Sequence, residues 1–238
     1  MISRNGRKNA FAGFTLVELA VVMVISGLLL ATFLVPLSAQ QEIKARSDTE
    51  LLLGQAREAL IGFAVVNRHL PCPDTNPIPD GIENRSASGK CANDEGILPW
   101  NTLGIDQTDA WNHYFGYRAD TTFSDSVDRF TIDDATGSTG ITINGDIGPL
   151  ISVTSRPVAV VISYGTNGLG ATTRTQASPA NKLPMPTGLD ELENTNTNLV
   201  FVSHTPTPAG SSNEFDDILI WISPKVLINR MILAERLP

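Results

Sequence analysis

Glu18 is a carboxylate inside an apolar stretch, and its position gives it a chemical meaning. It is the only charged residue between Phe14 and Leu37. A charge at the centre of a membrane helix costs about 2.5 to 3.5 kcal/mol, and less near the helix end. Glu18 therefore needs a reason to be there. Either it neutralises a cation, or it extends from near the helix end to the lipid headgroups.

The stretch around Glu18 is long enough to cross a bilayer as a helix. It covers residues 14–37 and reads FTLVELAVVMVISGLLLATFLVPL. The basic residues before it, Arg4, Arg7 and Lys8, predict a cytoplasmic N-terminus and an extracytoplasmic remainder. A cleaved secretory signal would have a shorter apolar core and a small-x-small cleavage site. A plain membrane anchor gives no reason for Glu18.

The two cysteines of the chain, Cys72 and Cys91, flank a proline-rich, loop-like stretch. No Cys or His lies around them at zinc-ligand spacing. A disulfide is the simplest prediction, and in an oxidising compartment it would stabilise the domain by about 3 kcal/mol. The alternative is a pair of unpaired thiols.

The remaining reactive residue types do not form a catalytic pattern. The spacing of His69, His113 and His204 suggests neither metal ligation nor a triad. There is no GxSxG or SxxK motif. The glycines at 168 and 170 lack the rest of a phosphate-binding loop. We therefore predict that the protein is not an enzyme.

The elements that must position these residues follow from periodicity. Apolar residues continue at helical spacing after residue 38, at Leu51, Leu52, Ala56, Ala59, Leu60, Phe63 and Ala64. We predict one helix from Phe14 to about Val66. Runs of β-branched and aromatic residues predict antiparallel strands at 114–118, 129–133, 140–144, 158–164, 199–203 and 218–222. A closing helix is expected at 225–236, with Ser223 as N-cap and Pro224 at its first position.

The segment Gly13-Phe14-Thr15-Leu16-Val17-Glu18-Leu19 resembles the processing site of type IV prepilins and type II secretion pseudopilins. The resemblance implies that a prepilin peptidase cuts after Gly13 and methylates the new N-terminus on Phe14. It also implies that Glu18 pairs with the Phe14 amine of a neighbouring subunit and sets the register of assembly. Such pairing neutralises charges that would be costly in a low-dielectric filament core.

The resemblance also implies a domain organisation. Residues 1–13 would be the leader, residues 14–37 the transmembrane and filament-core half of the helix, and residues 38–66 the half that packs on the domain. Residues 67–238 would form the periplasmic or extracellular domain. The expected fold class is α+β and pilin-like: a long N-terminal helix packed on an antiparallel sheet, with a short C-terminal helix. The expected location is the inner membrane, single-pass, and then a pilus or pseudopilus.

The implied function is that of a structural subunit of a type IV pilus or a type II secretion pseudopilus. Its implied partners are prepilin peptidase, other pilin or pseudopilin subunits and inner-membrane lipid. Without residues 1–13, 14 Lys and Arg stand against 25 Asp and Glu, so the net charge falls from −8 to about −11. This balance disfavours nucleic acid as a partner. The insert between Gly168 and Asp216 favours a minor subunit. The alternative is a membrane-tethered binding module or adhesin that does not polymerise.

A second resemblance concerns residues 163–168 and 214–218, together with Trp221. They are similar to the C-terminal calcium loop of the major type II secretion pseudopilin. The resemblance implies Ca²⁺ as a cofactor, with Asp216, Asp217 and Asn167 as ligands. The alternative is an acidic turn that caps a strand.

Overall fold

Helix α1, Leu16–Asn67, is the first and longest element among the described residues. The structure is a computed structural model that describes residues 14–136, 140–145, 148–149, 156–174 and 181–237, without the side chains of residues 30–38, 136 and 148–149. The prediction of one helix from Phe14 to about Val66 is met within two residues at each end. Contacts divide the chain into two compact units, with the boundary between Lys44 and Ala45.

In the first unit, α1 exposes apolar side chains over the whole described stretch. The exposed residues are Leu16, Val17, Leu19, Val21, Val22, Met23, Val24, Ile25, Leu28 and Leu29. Among the described residues, no helix is both long and apolar enough for a membrane crossing. The predicted spanning segment, residues 14–37, includes side chains at 30–37 that lie outside the described part.

In the second unit, α1 buries a narrow apolar stripe made of Leu53, Ala56, Leu60 and Ala64. The prediction placed Leu51 on this stripe, but Leu51 is 65% exposed. The reason is the helical repeat of 3.6 residues. Leu51 precedes Leu60 by about two and a half turns and so lies on the opposite face, whereas Leu53 precedes it by about two turns.

Short strands follow the helix. In the described part of the chain they are β1 (Glu95–Ile97), β2 (Gly116–Ala119), β3 (Thr142–Gly145), β4 (Gly148–Pro149), β5 (Ala159–Ser163), β6 (Val200–Val202) and β7 (Ile218–Ile222). Four of them form an antiparallel sheet in the order β1-β2-β5-β7. This sheet and the long helix confirm the predicted α+β, pilin-like fold class.

A second sheet, in the order β4-β3-β6, was not predicted, and its β3–β6 pair is parallel. It covers the face of the main sheet that α1 does not cover. Alternate residues of β5 show this arrangement: Ala159 and Val161 join the cluster around α1, while Val160 joins Ile143 and Phe201 of the second sheet. All five residues of β5 are therefore buried, as expected for a strand covered on both faces.

The remaining helices are short. They are α2 (Trp100–Leu103), α3 (Thr121–Ser124), a 3₁₀ helix (Ile132–Thr136), α4 (Leu189–Thr195) and α5 (Pro224–Leu233). The closing helix α5 has Ser223 as its N-cap residue and Pro224 in its first turn, as predicted.

The predicted strand at 129–133 is wrong, because a 3₁₀ helix begins at Ile132. The Asp134 carboxylate accepts hydrogen bonds from the backbone N–H and the hydroxyl of Thr131, at 2.7 and 3.0 Å. This local bond starts a helical turn, and local side-chain to backbone bonds of this kind compete with strand pairing.

Candidate functional site: the N-terminal motif and an acidic cluster

The N-terminal motif forms a capping box at the start of α1. The Thr15 hydroxyl accepts a hydrogen bond from the Glu18 backbone N–H at 3.2 Å. The Glu18 carboxylate accepts the backbone N–H of Thr15 at 2.8 Å and the Thr15 hydroxyl at 2.9 Å. These bonds satisfy N–H groups that a helix start leaves without partners. The Glu18 carboxylate is therefore bonded to Thr15, the residue that follows Phe14.

The residues around this box leave it open to the surroundings. The Phe14 side chain is 85% exposed, and Glu18 is exposed as well. Gly13, the predicted residue before the cut, lies outside the described residues. The arrangement presents a carboxylate and a large apolar side chain at the start of an apolar helix.

A second group of functional side chains lies where β7 begins. One carboxylate oxygen each from Glu191, Asp216 and Asp217 lies within 4.8 Å of the other two. Glu191 comes from α4, and the two aspartates immediately precede β7, which begins at Ile218. Gly165 has a φ of 59° and lies so close that a Cβ there would overlap Asp216 Oδ1. Glycine at 165 therefore makes room for this carboxylate.

The cluster contains buried oxygens without a hydrogen bond. Asp217 is only 3% exposed, and its Oδ2 accepts a bond from the Asn194 amide at 2.8 Å. Its Oδ1 and the Oδ1 of Asp216 are buried and have no hydrogen-bond partner among the described residues. Such orphaned oxygens are rare in folded proteins and call for an explanation, such as an ion.

The three carboxylates also lack a compensating positive charge among the described residues. No ion pair of the described residues reaches any of the three carboxylates. Burial raises the pKa of the Glu191 and Asp216 carboxyls, and it raises the pKa of Asp217 well above its usual range. The neighbouring negative charges act in the same direction. An oxygen-only set of this kind suits a hard cation such as Ca²⁺.

Asn167 lies beside the cluster, but its amide oxygen faces away from the carboxylates. The Asn167 Oδ1 accepts the backbone N–H of Leu169 at 2.9 Å. Its Nδ2 donates to both oxygens of Glu191, at 3.0 and 3.3 Å. The backbone N–H of Asn167 donates to Asp216 Oδ2 at 2.9 Å. In this arrangement Asn167 orients carboxylates and presents no oxygen to them.

Sequence reasoning missed Glu191. It lies 25 residues before Asp216 within an insert that the calcium-loop resemblance does not cover. In α4, Glu191, Asn194 and Thr195 share one helix face, and Leu189 and Leu192 share the other. A surface helix ordinarily buries its apolar face, so this pattern gives no local signal for a buried Glu191.

The predicted disulfide between Cys72 and Cys91 is present, with Cα atoms 5.2 Å apart. Its loop is tied to the chain just after α1 by the partly buried Arg85 guanidinium. Arg85 donates to the Leu70 carbonyl oxygen at 3.1 Å and to the Ser124 carbonyl oxygen at 2.6 Å. It also pairs with Glu83 at 2.9 Å.

The polar residues that could suggest catalysis have structural contacts. The Ser163 hydroxyl is fully buried and donates to Asp109 Oδ2 at 2.7 Å. The other Asp109 oxygen accepts the backbone N–H groups of Trp111 and His113, both at 2.9 Å. Ser163 is therefore bonded to a carboxylate and not to a histidine. His204 lies 3.2 Å from Asp190 and stacks on Phe215.

Comparison with known families finds one match. Residues 8–34 match the sequence model of the prokaryotic N-terminal methylation motif. Comparisons with curated proteins and with solved structures find no match. The matched motif implies processing by a peptidase and assembly with other pilins. The chain thus carries the leader signature of type IV pilins and pseudopilins at residues 8–34, on an α+β fold that is consistent with theirs.

Proposed function

We propose that this protein is a minor structural subunit of a type IV pilus or a type II secretion pseudopilus. It is cut after Gly13, methylated on Phe14 and anchored in the inner membrane through residues 14–37. The observation that carries the proposal is the methylation motif at residues 8–34, placed at the capped start of an apolar, exposed helix.

The proposed assembly step follows from charge. Cleavage creates a cationic amine on Phe14, and an unpaired ammonium is costly in an apolar filament core. Glu18 supplies the opposite charge. In the isolated subunit its carboxylate bonds to Thr15 of its own chain, so assembly exchanges or extends this bond to the amine of a neighbouring subunit. The exchange leaves neither charge unpaired.

The minor role is supported by the insert before β7. Helix α4 and strand β6 both lie between Gly168 and Asp216, and β6 pairs with β3 to complete the second sheet. An added layer of this size is suited to a special position in a filament rather than to its repeating shaft.

Mass spectrometry of the mature N-terminus tests the processing step. A chain that begins at methylated Phe14 is the expected result. An intact Met1, or a start near Gln40, would contradict the proposal.

For assembly, Glu18→Gln is expected to be processed and inserted but absent from sheared filaments, because the amine loses its partner charge. Glu50→Gln, on the same helix in an exposed pair with Arg46, is the matched control and should assemble normally.

The same experiment separates the alternative function. A tethered binding module or adhesin that does not polymerise should be indifferent to Glu18→Gln. Equal surface amounts of Glu18→Gln and wild type, with neither in sheared filaments, would favour that alternative.

We also propose that the domain binds Ca²⁺, with Asp216 and Asp217 as ligands. The unpartnered Oδ1 atoms of both residues support this assignment. A bound cation would neutralise the buried negative charge and so stabilise the folded chain by mass action. Millimolar Ca²⁺ should raise the thermal midpoint of the purified chain relative to EGTA, and Mg²⁺ should raise it less. Equal midpoints in Ca²⁺ and EGTA would contradict the proposal.

A further inference from the structure

Helix α4 buries its polar face and exposes its apolar face. Its polar residues Glu191 and Asn194 are each 1% exposed, whereas its apolar residues Leu189 and Leu192 are 75% and 37% exposed. Surface helices ordinarily bury the apolar side. The hydrophobic effect therefore does not explain the orientation of α4, and something on its inner side must hold the polar face in place.

The inner face of α4 contacts the two aspartates, Asp216 and Asp217, that immediately precede β7. The Asn194 amide donates to Asp217 Oδ2 at 2.8 Å and to the Val202 carbonyl oxygen at 3.0 Å, and its oxygen accepts the Val202 N–H at 2.7 Å. The Glu191 Oε1 accepts the Asp216 backbone N–H at 3.0 Å. One helix face thus contacts β6 and the two residues that precede β7.

These bonds are insufficient to hold three carboxylates together. Asp217 is buried and has one oxygen without a partner. Like charges within a few ångströms repel strongly when water is excluded. The Asn167 amide satisfies part of Glu191, and no cation among the described side chains pairs with the cluster. A divalent cation would supply the missing positive charge.

We infer that Glu191 is a third ligand of the same cation as Asp216 and Asp217. This cation holds the polar face of α4 against the two residues that precede β7, and we call this ion-mediated contact the clasp. The inference rests on the calcium site proposed above. Asn167 is a positioning residue that orients Glu191. Without the cation, the repulsion among the carboxylates loosens α4, and the outward display of Leu189 and Leu192 is lost.

Calcium binding and hydrogen exchange test the clasp in the full chain, purified in mild detergent. The probe is Ca²⁺ alone, measured by equilibrium dialysis. Glu191→Gln should weaken binding by at least about tenfold, because affinity for Ca²⁺ depends on the number of charged ligands. Glu193→Gln is the matched control. It changes the same helix, but Glu193 bonds only to Asn196 and Asn198 among the described residues, so it should bind as wild type does.

Hydrogen exchange gives the second readout. Calcium should slow amide exchange across residues 189–195 in the wild type and in Glu193→Gln, and should leave it unchanged in Glu191→Gln. In EGTA, the thermal midpoint of Glu191→Gln should equal or exceed that of the wild type, because one repelling charge is gone. A purely structural Glu191 would instead lower the midpoint in EGTA.

The outcomes separate the two proposals. A wild-type chain that binds no Ca²⁺ overturns the calcium site and the clasp with it. A wild type that binds, together with a Glu191→Gln variant that binds equally well, overturns the clasp alone. Calcium binding that leaves exchange at 189–195 unchanged in the wild type also overturns the clasp. The mass of the N-terminus at Phe14 is independent of all three results.

Discussion

The two ends of helix α1 use apolar residues in opposite ways. Before residue 30 the apolar side chains point in all directions and are exposed. Between Leu53 and Ala64 they lie on one stripe, which joins the core of the second unit. Composition and spacing both distinguish the two parts: Glu18 is the only charged residue between Phe14 and Leu37, whereas Arg57 and Glu58 lie among the apolar residues of the second part. An apolar stripe packs on the core of the same chain, whereas an all-round apolar surface requires an apolar environment from outside.

Truncation of the helix at matched sites tests this contrast and has the largest expected effect. Leu60→Ala removes a fully buried side chain and should lower the free energy of unfolding by about 2 to 5 kcal/mol. Leu51→Ala, at an exposed site on the same helix, should change it by less than about 0.5 kcal/mol. Urea unfolding followed by tryptophan fluorescence measures both, since Trp100, Trp111 and Trp221 all lie in the second unit. Val22→Ala should leave this transition in place, and a loss comparable to that of Leu60→Ala would break the contrast.

Removal of the disulfide should affect the stability of the second unit and leave the N-terminal motif unaffected. The double variant Cys72→Ser and Cys91→Ser should lower the free energy of unfolding by about 3 kcal/mol, because it frees a loop of 19 residues in the unfolded chain. The fluorescence transition should shift, and processing at Phe14 should be unaffected. An unchanged transition would show that Arg85 and its carbonyl partners hold the loop without the bond.

Removal of the Asp109 carboxylate should have a smaller effect on the free energy of unfolding of the second unit. Asp109→Ala leaves the backbone N–H groups of Trp111 and His113 and the Ser163 hydroxyl without their acceptor. The expected loss is about 1 to 3 kcal/mol in the same urea assay. Asp106→Ala, three residues earlier and exposed, is the control and should be within about 0.5 kcal/mol of wild type. Equal stability of the two variants would refute the role of Asp109.

The smallest expected effect is a pH dependence at His69. Burial lowers the pKa of His69 below its ordinary 6.5, and the nearby Arg85 guanidinium acts in the same direction. The unfolded chain therefore binds a proton first as the pH falls. The contribution is present above about pH 6.5 and is lost as the pH falls through the folded-state pKa.

Because His69 is partly solvated, the loss should be well under about 1 kcal/mol. Unfolding midpoints between pH 5 and 8, compared for the wild type and His69→Gln, measure it. The variant should show a shallower decline below pH 6.5. Parallel curves would mean that His69 does not contribute.

Residues with a local signal were predicted well. The N-terminal helix ends one residue from its predicted end, β7 matches residues 218–222, and Ser223 precedes the closing helix as expected. The disulfide followed from a count of two cysteines. The N-terminal motif was visible because all of its chemistry lies within seven consecutive residues.

Features built from distant segments were not predicted. The second sheet depends on a parallel pair between residues 142–144 and 200–202, and no local pattern encodes a pairing over such a separation. Glu191 was missed for the same reason, since its neighbour in space, Asp216, is 25 residues away in sequence. The orientation of α4 also runs against the usual rule that apolar faces are buried, so its residue pattern gives no signal for a buried Glu191.

The covalent closure between Cys72 and Cys91 has a mechanical consequence. In the proposed filament, a subunit held by its N-terminal helix would transmit tension into the chain that leaves α1 at Asn67, five residues before Cys72. Without the bond, peeling of the 19-residue segment would release roughly 65 Å of contour length under load. With the bond, that length would not be released, and the force would pass from Cys72 through the bond to Cys91, four residues before β1 at Glu95. The bond would thus limit how far one subunit of the proposed filament extends under load.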